Sequence, residues 1–489
     1  KIMSQEIRNL EPKALWNQFA DLNAVPRPSK KEEQVIQFMK DFGNRLGLET
    51  FEDEIRNVII RKPATPGMEN RKPIVLQGHL DMVHQKNNDT VFDFETQGIE
   101  MYVDGDWVRA KGTTLGADNG LGVAAIMAVL ESTDIPHPAI EALFTIDEET
   151  GMTGALNLQG GILQGQILLN LDTEEDDEID IGCAGGIDVT ATAEYDEEDT
   201  PEGSVGYSIT VKGLQGGHSG MDIHKGLGNA NKIMNRLLFD GFDNFGLQIA
   251  SIAGGSLRNA IPRESVAKVI IAEVYDEAFV FDMQQIVNEI KAEFKTTEPN
   301  LEIVFEKLTE VPAKVMPSIA QFYFVRSMYT AHNGVYRMSA DFDNLVETSN
   351  NIAKVIVGEG QLAVQCLTRS SVESSKMDLA NALRSAFELM GCEVEFSGAY
   401  PGWTPNPKSE ILDVLVGIYE KQNNAKPNVV ACHAGLECGI LGTNYPEMDM
   451  ISFGPTIHGA HSPDERASIS SSQKFWKFFL EILASIPAK

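Results

Sequence analysis

Ile74-Val75-Leu76-Gln77, followed at once by Gly78-His79-Leu80-Asp81, reads as a short apolar strand that ends in side chains suited to binding or catalysis. Its apolar residues run together instead of alternating, the pattern of a strand covered on both faces. Similar β-rich runs occupy Asn57–Arg61, Ala142–Ile146 and Ile167–Leu171, and Leu121–Glu131 lies among them as a buried helix. Leu10–Leu22 and Glu32–Leu48 carry helical spacing, with Ser29 and Glu32 placed as a capping box for the second. Alternation of this kind predicts an α/β domain: a mixed, mostly parallel sheet covered by helices.

Working outward, the texture changes after Gly185-Gly186. Ala193–Gly203 is acidic and poor in large apolar residues, which suits a linker or hairpin. Beyond it, strands are expected at Val205–Val211, Val266–Ala272, Leu301–Phe305, Leu362–Leu367 and Glu393–Phe396, with helices at Gly226–Phe239, Phe279–Phe294 and Ser374–Met390. Motif-bearing sequence resumes at Tyr400–Trp403. The chain of 489 residues exceeds one ordinary core. The expectation is therefore a domain of residues 1–186 and 398–489 interrupted by an α+β insertion at 187–397, long enough to be two similar halves.

The bulk properties narrow the function classes. A hydrophobic share of 43% and a charged share of 23% describe a globular chain. The net charge of −31 disfavours nucleic acid and anionic lipid as partners. Five cysteines without framework spacing suggest a reducing compartment. No stretch resembles a signal peptide or reaches the roughly 20 apolar residues of a membrane span. A cytoplasmic, soluble protein is expected, with a homodimer possible.

Five places set His, Asp or Glu just after a strand-like run: Gly78-His79-Leu80-Asp81, Gly116-Ala117-Asp118-Asn119-Gly120, Asp147-Glu148-Glu149-Thr150-Gly151, Leu171-Asp172-Thr173, and His461-Ser462-Pro463-Asp464-Glu465. In open α/β sheets ligands bind beyond the carboxyl ends of the strands, so such motifs converge on one crevice. Each alone is an ordinary turn or a solvated charge. Together they supply histidine and carboxylate ligands without cysteine, the donor set of a catalytic zinc, and two nearby cations need a carboxylate able to bridge them. Asp81 is placed to accept the second ring N–H of His79. Of Glu148 and Glu149, one could ligate metal while the other serves as a general base.

In this order the motifs closely resemble the zinc-dependent superfamily of aminoacylases, glutamate carboxypeptidases and cytosolic dipeptidases, over nearly the whole chain. Leu169 to Glu175, Ile181 to Gly186 and His433 to Gly439 look like its aminoacyl-histidine dipeptidase branch. The resemblance implies two zinc ions, with Co2+ or Mn2+ able to substitute: His79, Asp118 and Asp172 on one, Asp118, Glu149 and His461 on the other. It implies Glu148 as general base, Asp81 as the partner of His79, and a cis peptide after Asp118. In the insertion, His218 resembles the lid histidine that reaches the scissile carbonyl. Asn259 resembles a substrate contact, and Arg369 the arginine that receives the substrate carboxylate. His433 and Glu437 are candidate pocket residues, while His84 and His458 are read as lying outside the ligand set. The implied substrate is a small unblocked peptide, Xaa-His including β-alanyl-histidine. Related tripeptidase, carboxypeptidase and aminoacylase activities, and an inactive binding protein on the same scaffold, stay open.

Overall fold

The computed structural model describes residues 2–87, 89–432 and 436–489, and it divides into two units. Unit 1 comprises Lys1–Cys183, Trp403–Cys432 and Leu436–Lys489, and unit 2 contains Ala184–Gly402.

Unit 1 is built on an eight-stranded mixed sheet. At its centre Ile140–Thr145, Ile74–His79, Ile167–Asn170 and Asp449–Ser452 run parallel side by side. Val58–Lys62 and Glu178–Cys183 flank this block antiparallel to it. Ile74–His79 and Ile140–Thr145 are buried along their whole length, as continuous apolar strands require. Helix Ala117–Glu131 is buried at every position but its last, which matches its lack of a polar face. Two glycines permit its close approach to the sheet. A Cβ on Gly122 would stand 2.3 Å from the Leu171 carbonyl oxygen, and one on Gly78 would stand 2.6 Å from Asn119 Oδ1. A separate four-stranded sheet joins Met101–Asp104 and Trp107–Ala110 to Arg466–Ser468 and Ile457–His458.

The capping box at Ser29 is not formed. The helix begins at Glu33 without a side-chain cap, because Ser29 Oγ donates to Asp81 Oδ2 at 2.7 Å and Glu32 Oε1 accepts from the Asp147 N–H at 2.9 Å. Both side chains are drawn to the motif loops.

Unit 2 is an antiparallel sheet with a repeated βαββαβ plan. In the first half the strands Ser204–Lys212, Gln248–Gly254, Ser265–Ala272 and Glu302–Lys307 surround helices Ala230–Phe245 and Asp276–Glu293. In the second, Gly185–Glu194, Val346–Gly358, Gln361–Ser370 and Glu393–Tyr400 surround Ser318–Thr330 and Glu373–Leu389. Numbered along the chain, each half sets its strands in the order 4-1-3-2, and the halves join through Gln248–Gly254 and Val346–Gly358. Ala193 and Glu194 belong to a strand and not to a linker, since they pair with Leu362 and Gln361.

Candidate metal centre and substrate contacts

The motifs of unit 1 meet at the carboxyl ends of the parallel strands. His79 ends one strand, Glu148 and Glu149 follow Ile140–Thr145, and Asp172 lies just past Ile167–Asn170. Asp118 sits in the first turn of Ala117–Glu131, and His461 in the loop between Ile457–His458 and Arg466–Ser468. Asp147 and His461 take φ values of 51° and 70°, a region costly for side-chain-bearing residues and seldom kept without a local reason.

Asp118 holds the centre. Its Oδ1 is 3.1 Å from His79 Nε2 and its Oδ2 is 3.2 Å from His461 Nε2. Glu149 Oε2 lies 3.0 Å from the same nitrogen of His461. His79 Nε2 also faces Glu148 Oε2 at 3.5 Å and Asp172 Oδ1 at 3.7 Å. Among the described residues four groups are of ligand size: His79–Asp118–Asp172 and Asp118–Glu149–His461, which share one carboxylate, and His79–Glu148–Glu149 and Glu32–Asp81–Asp147. The Asp118–Asn119 peptide is cis.

The electrostatics are those of a place short of positive charge. Burial pushes Glu148 well above the ordinary carboxylate range, and burial with the neighbouring carboxylates takes Asp172 to about 8. His461, bonded to Asp118 and Glu149, is raised to about 11. Burial opposes ionisation of Asp118, yet His461 and His79 hold it well below its usual value. Glu149 Oε1 is buried with no hydrogen-bond partner. An orphaned carboxylate oxygen among nitrogen and oxygen donors fits divalent cations of the zinc type.

Asp81 is placed somewhat differently from the expectation. The shortest contact of His79 Nδ1 is to the backbone oxygen of Asp81 at 3.0 Å, with the carboxylate at 3.3 Å. That carboxylate accepts the N–H groups of Glu148 and Glu149 at 3.0 and 3.2 Å, so it fixes the turn bearing both glutamates. His84 packs edge-on against Phe94, and His458 pairs with Glu175 at 3.2 Å, both away from the ligand groups.

In unit 2, Gly217–His218 pairs with Ala260–Ile261. His218 Nδ1 accepts from the N–H groups of Gly220 and Met221 at 3.1 and 3.0 Å. Burial and the charge of Arg369 lower its pKa, so the ring is neutral at pH 7 and carries its hydrogen on Nε2. Arg369 is buried, donating to Tyr400 Oη at 3.1 Å and Ser219 Oγ at 3.4 Å. Asn259 is exposed, and its backbone oxygen accepts from Ser219 N. Glu437, in unit 1, is buried and bonded to Thr145 and Gln77. His433 lies outside the described residues.

The sequence model of peptidase family M20/M25/M40 matches residues 75–485. The chain belongs to this family. It is 44% identical to the cytosol non-specific dipeptidase of Escherichia coli, across 99% of this chain and all of that protein. The crystal structure of an aminoacylhistidine dipeptidase from Vibrio alginolyticus superposes with a TM-score of 0.95 at 45% identity, covering 99% of each chain. Aminopeptidase PepT from Bacillus cereus, 16% identical with a TM-score of 0.56 over 98% of this chain and 99% of that one, shares the fold.

Several residues of this M20 peptidase escaped the reading of its sequence. Glu465 accepts the N–H groups of Leu115, Gly116 and Asp118 at 2.8, 2.9 and 3.1 Å. Asn119 Oδ1 accepts from His79 N at 3.0 Å while its amide donates to the Leu171 oxygen at 2.6 Å, tying three motifs together. Glu174 lies beside Asp118 and is raised to about 9 by burial and by Asp118. Arg27, fully buried, donates to the carbonyls of Leu80 and Gly116. Glu465 and Glu174 stand inside recognised motifs, so proximity was a usable signal. Arg27 had none.

Proposed function

We propose that this chain is a dinuclear zinc dipeptidase hydrolysing unblocked dipeptides. The observation that carries the reading is Asp118, each of whose oxygens faces a different histidine within a group able to hold one ion. His79, Asp118 and Asp172 hold one zinc, and Asp118, Glu149 and His461 the other, with Co2+ or Mn2+ as substitutes. When bound, such ions polarise a carbonyl and make water more acidic.

Glu148 is the general base. Its turn is fixed by Asp81, which sets its carboxylate beside His79 as a group able to take a proton and return it. It removes the proton from the attacking water and delivers it to the leaving amine. His218, neutral with its Nε2 hydrogen available, donates to the carbonyl oxygen as that oxygen gains charge. Arg369 receives the terminal carboxylate, which suits a guanidinium fork, and Asn259 contacts the peptide.

The two relatives bear names that pull apart, one non-specific and one for aminoacylhistidine. We infer a general dipeptidase that favours Xaa-His, β-alanyl-histidine included. The test compares Ala-His, β-Ala-His, Ala-Leu and acetyl-Ala-His on metal-loaded and chelator-stripped protein. Ala-His should be cut faster than Ala-Leu, the acetylated peptide hardly at all, and stripped protein should be inert. Equal rates on Ala-His and Ala-Leu would reduce the claim to a non-specific dipeptidase. Efficient cleavage of the acetylated peptide would favour an aminoacylase or carboxypeptidase.

A further inference from the structure

The parallel block of unit 1 contains a line of polar side chains where its strands should be wholly apolar. Gln77 is in register with Asn170, Asn170 with Ser452, and Ser452 with Asp180, across four adjacent strands. Gln77, Asn170 and Ser452 are fully buried, and Asp180 is nearly so. Buried polar groups weaken a core unless every one is bonded. Here the groups of the row are bonded to each other, while Glu437 Oε2 at its end is buried with no hydrogen-bond partner. Asn170 Nδ2 donates to Gln77 Oε1, and Ser452 Oγ to Asn170 Oδ1 at 2.6 Å. Thr173 Oγ1 lies 2.8 Å from Ser452 Oγ and 2.6 Å from Asp180 Oδ2. At the other end Gln77 Nε2 reaches Glu437 Oε1 at 3.3 Å, and Thr145 Oγ1 donates to the same oxygen at 2.8 Å.

Two strands of the row, those of Gln77 and Asn170, and the neighbouring strand of Thr145 lead into the metal centre. Residues two apart on a strand share a face, roughly 6.6 Å from one to the next. His79 stands two residues beyond Gln77 on the same strand, and Asp172 lies just past the strand that Asn170 ends. Asp147, which opens the Glu148–Glu149 turn, lies just past the strand that Thr145 ends. We infer that the buried row Gln77–Asn170–Ser452, anchored by Glu437, is a positioning device that sets the ligand-bearing strand ends against one another. Glu437 is thereby a positioning residue and not a contact of the substrate. The inference rests on the reading of unit 1 as a metal centre.

The row ends in an acceptor carboxylate on each side. Between Asp180 and Glu437 stand Thr173, Ser452, Asn170 and Gln77, which makes five contacts. Both amides point their N–H groups toward Glu437, and at the other end Thr173 Oγ1 donates to Asp180 Oδ2. Burial raises each end carboxyl to about 7.

The test uses full-length Glu437→Leu, Glu437→Gln and Asp180→Asn. Metal affinity is read by chelator competition, kcat and KM on Ala-His, and stability by thermal unfolding. Glu437→Leu should weaken metal binding by about 10- to 100-fold, the loss usual for an outer partner of a ligand, and lower kcat with KM little changed. Glu437→Gln keeps an acceptor for Thr145 and Gln77, and Asp180→Asn keeps an acceptor for Thr173. Both should stay within about threefold of wild type, which is rescue by the conservative change. Raised KM with unaltered metal affinity in both Glu437 variants would overturn the inference in favour of a substrate contact. A lowered melting temperature alone would overturn it in favour of a structural role. Should Glu437→Leu not fold, Thr145→Val removes one donor to the anchor and must show the same loss of metal affinity. Wild-type protein that cleaves dipeptides yet holds metal equally well in Glu437→Leu refutes the row alone. Wild-type protein that holds no metal refutes the centre as well.

Discussion

Replacing Glu465 by glutamine should separate the stability of the fold from the affinity of its metal centre. The carboxylate is 2% exposed and accepts three backbone N–H groups, from Leu115, Gly116 and Asp118. Burial and the nearby Asp118 raise its pKa to about 7. At pH 7 the metal-free fold therefore accommodates the neutral and ionised forms about equally, and glutamine imitates the neutral one. The cost to the apoprotein should be small, at most about 1–2 kcal/mol. Metal changes the balance, since cations on Asp118 favour the ionised Glu465. In the variant Oε1 still accepts from Leu115 and Gly116, but an amide NH2 meets the Asp118 N–H donor to donor. Losing one charge-assisted bond costs about 1.5–3 kcal/mol, and with about 1.4 kcal/mol per tenfold metal affinity should fall roughly 10- to 100-fold. Glu465→Ala leaves three buried donors open at about 1–3 kcal/mol each, comparable with the whole stability of a domain, and should fold poorly. Urea unfolding of the stripped protein and chelator competition supply the two numbers. Unchanged metal affinity in Glu465→Gln, or an apoprotein weakened by more than about 3 kcal/mol, would refute the reasoning.

Glu148→Gln should retain its metal and lose about 10²–10⁴-fold or more in kcat; metal loss there, with retention in Glu149→Gln, would show the glutamates reversed. Asp118→Ala should drop metal content from two per chain toward none, because both groups share that carboxylate, and full occupancy by elemental analysis would sink the bridging role. Stripped protein should lose stability as pH rises from 6.5 to 8. Asp172 at about 8, Glu174 at about 9 and His461 at about 11 all lie above their unfolded values, so the native state binds more protons than the unfolded one in this window, and each extra proton costs about 1.4 kcal/mol per pH unit. Metal displaces those protons, and the loaded protein should show a flatter curve; a melting temperature of stripped protein that rises with pH would contradict this.

What the sequence disclosed and what it hid follow from how each signal is written in a chain. The parallel strands of unit 1 were legible because burial on both faces leaves an unbroken apolar run, as in Ile140–Thr145. Gln248–Gly254 and Val346–Gly358 of unit 2 were not, because the first ends in small residues and the second carries Thr348-Ser349-Asn350-Asn351 near its start, polar residues the structure nonetheless buries. Ligand residues announced themselves by standing at strand ends beside glycine and proline. Arg27 and Glu465 act on backbone carbonyls and N–H groups of distant loops, and no periodicity records such partners. Gln77 carries the sharpest lesson. In a strand of Ile-Val-Leu it looks like the residue at which the apolar run stops, so its polarity reads as a boundary. Only the register that sets it against Asn170, and Asn170 against Ser452, turns that boundary into a bonded row. A polar residue in a strand that ought to be apolar is a departure from local rules, and such departures collect where function sets the terms. Here the departure occurs on neighbouring strands at one level, directly beneath the side chains that face one another around Asp118.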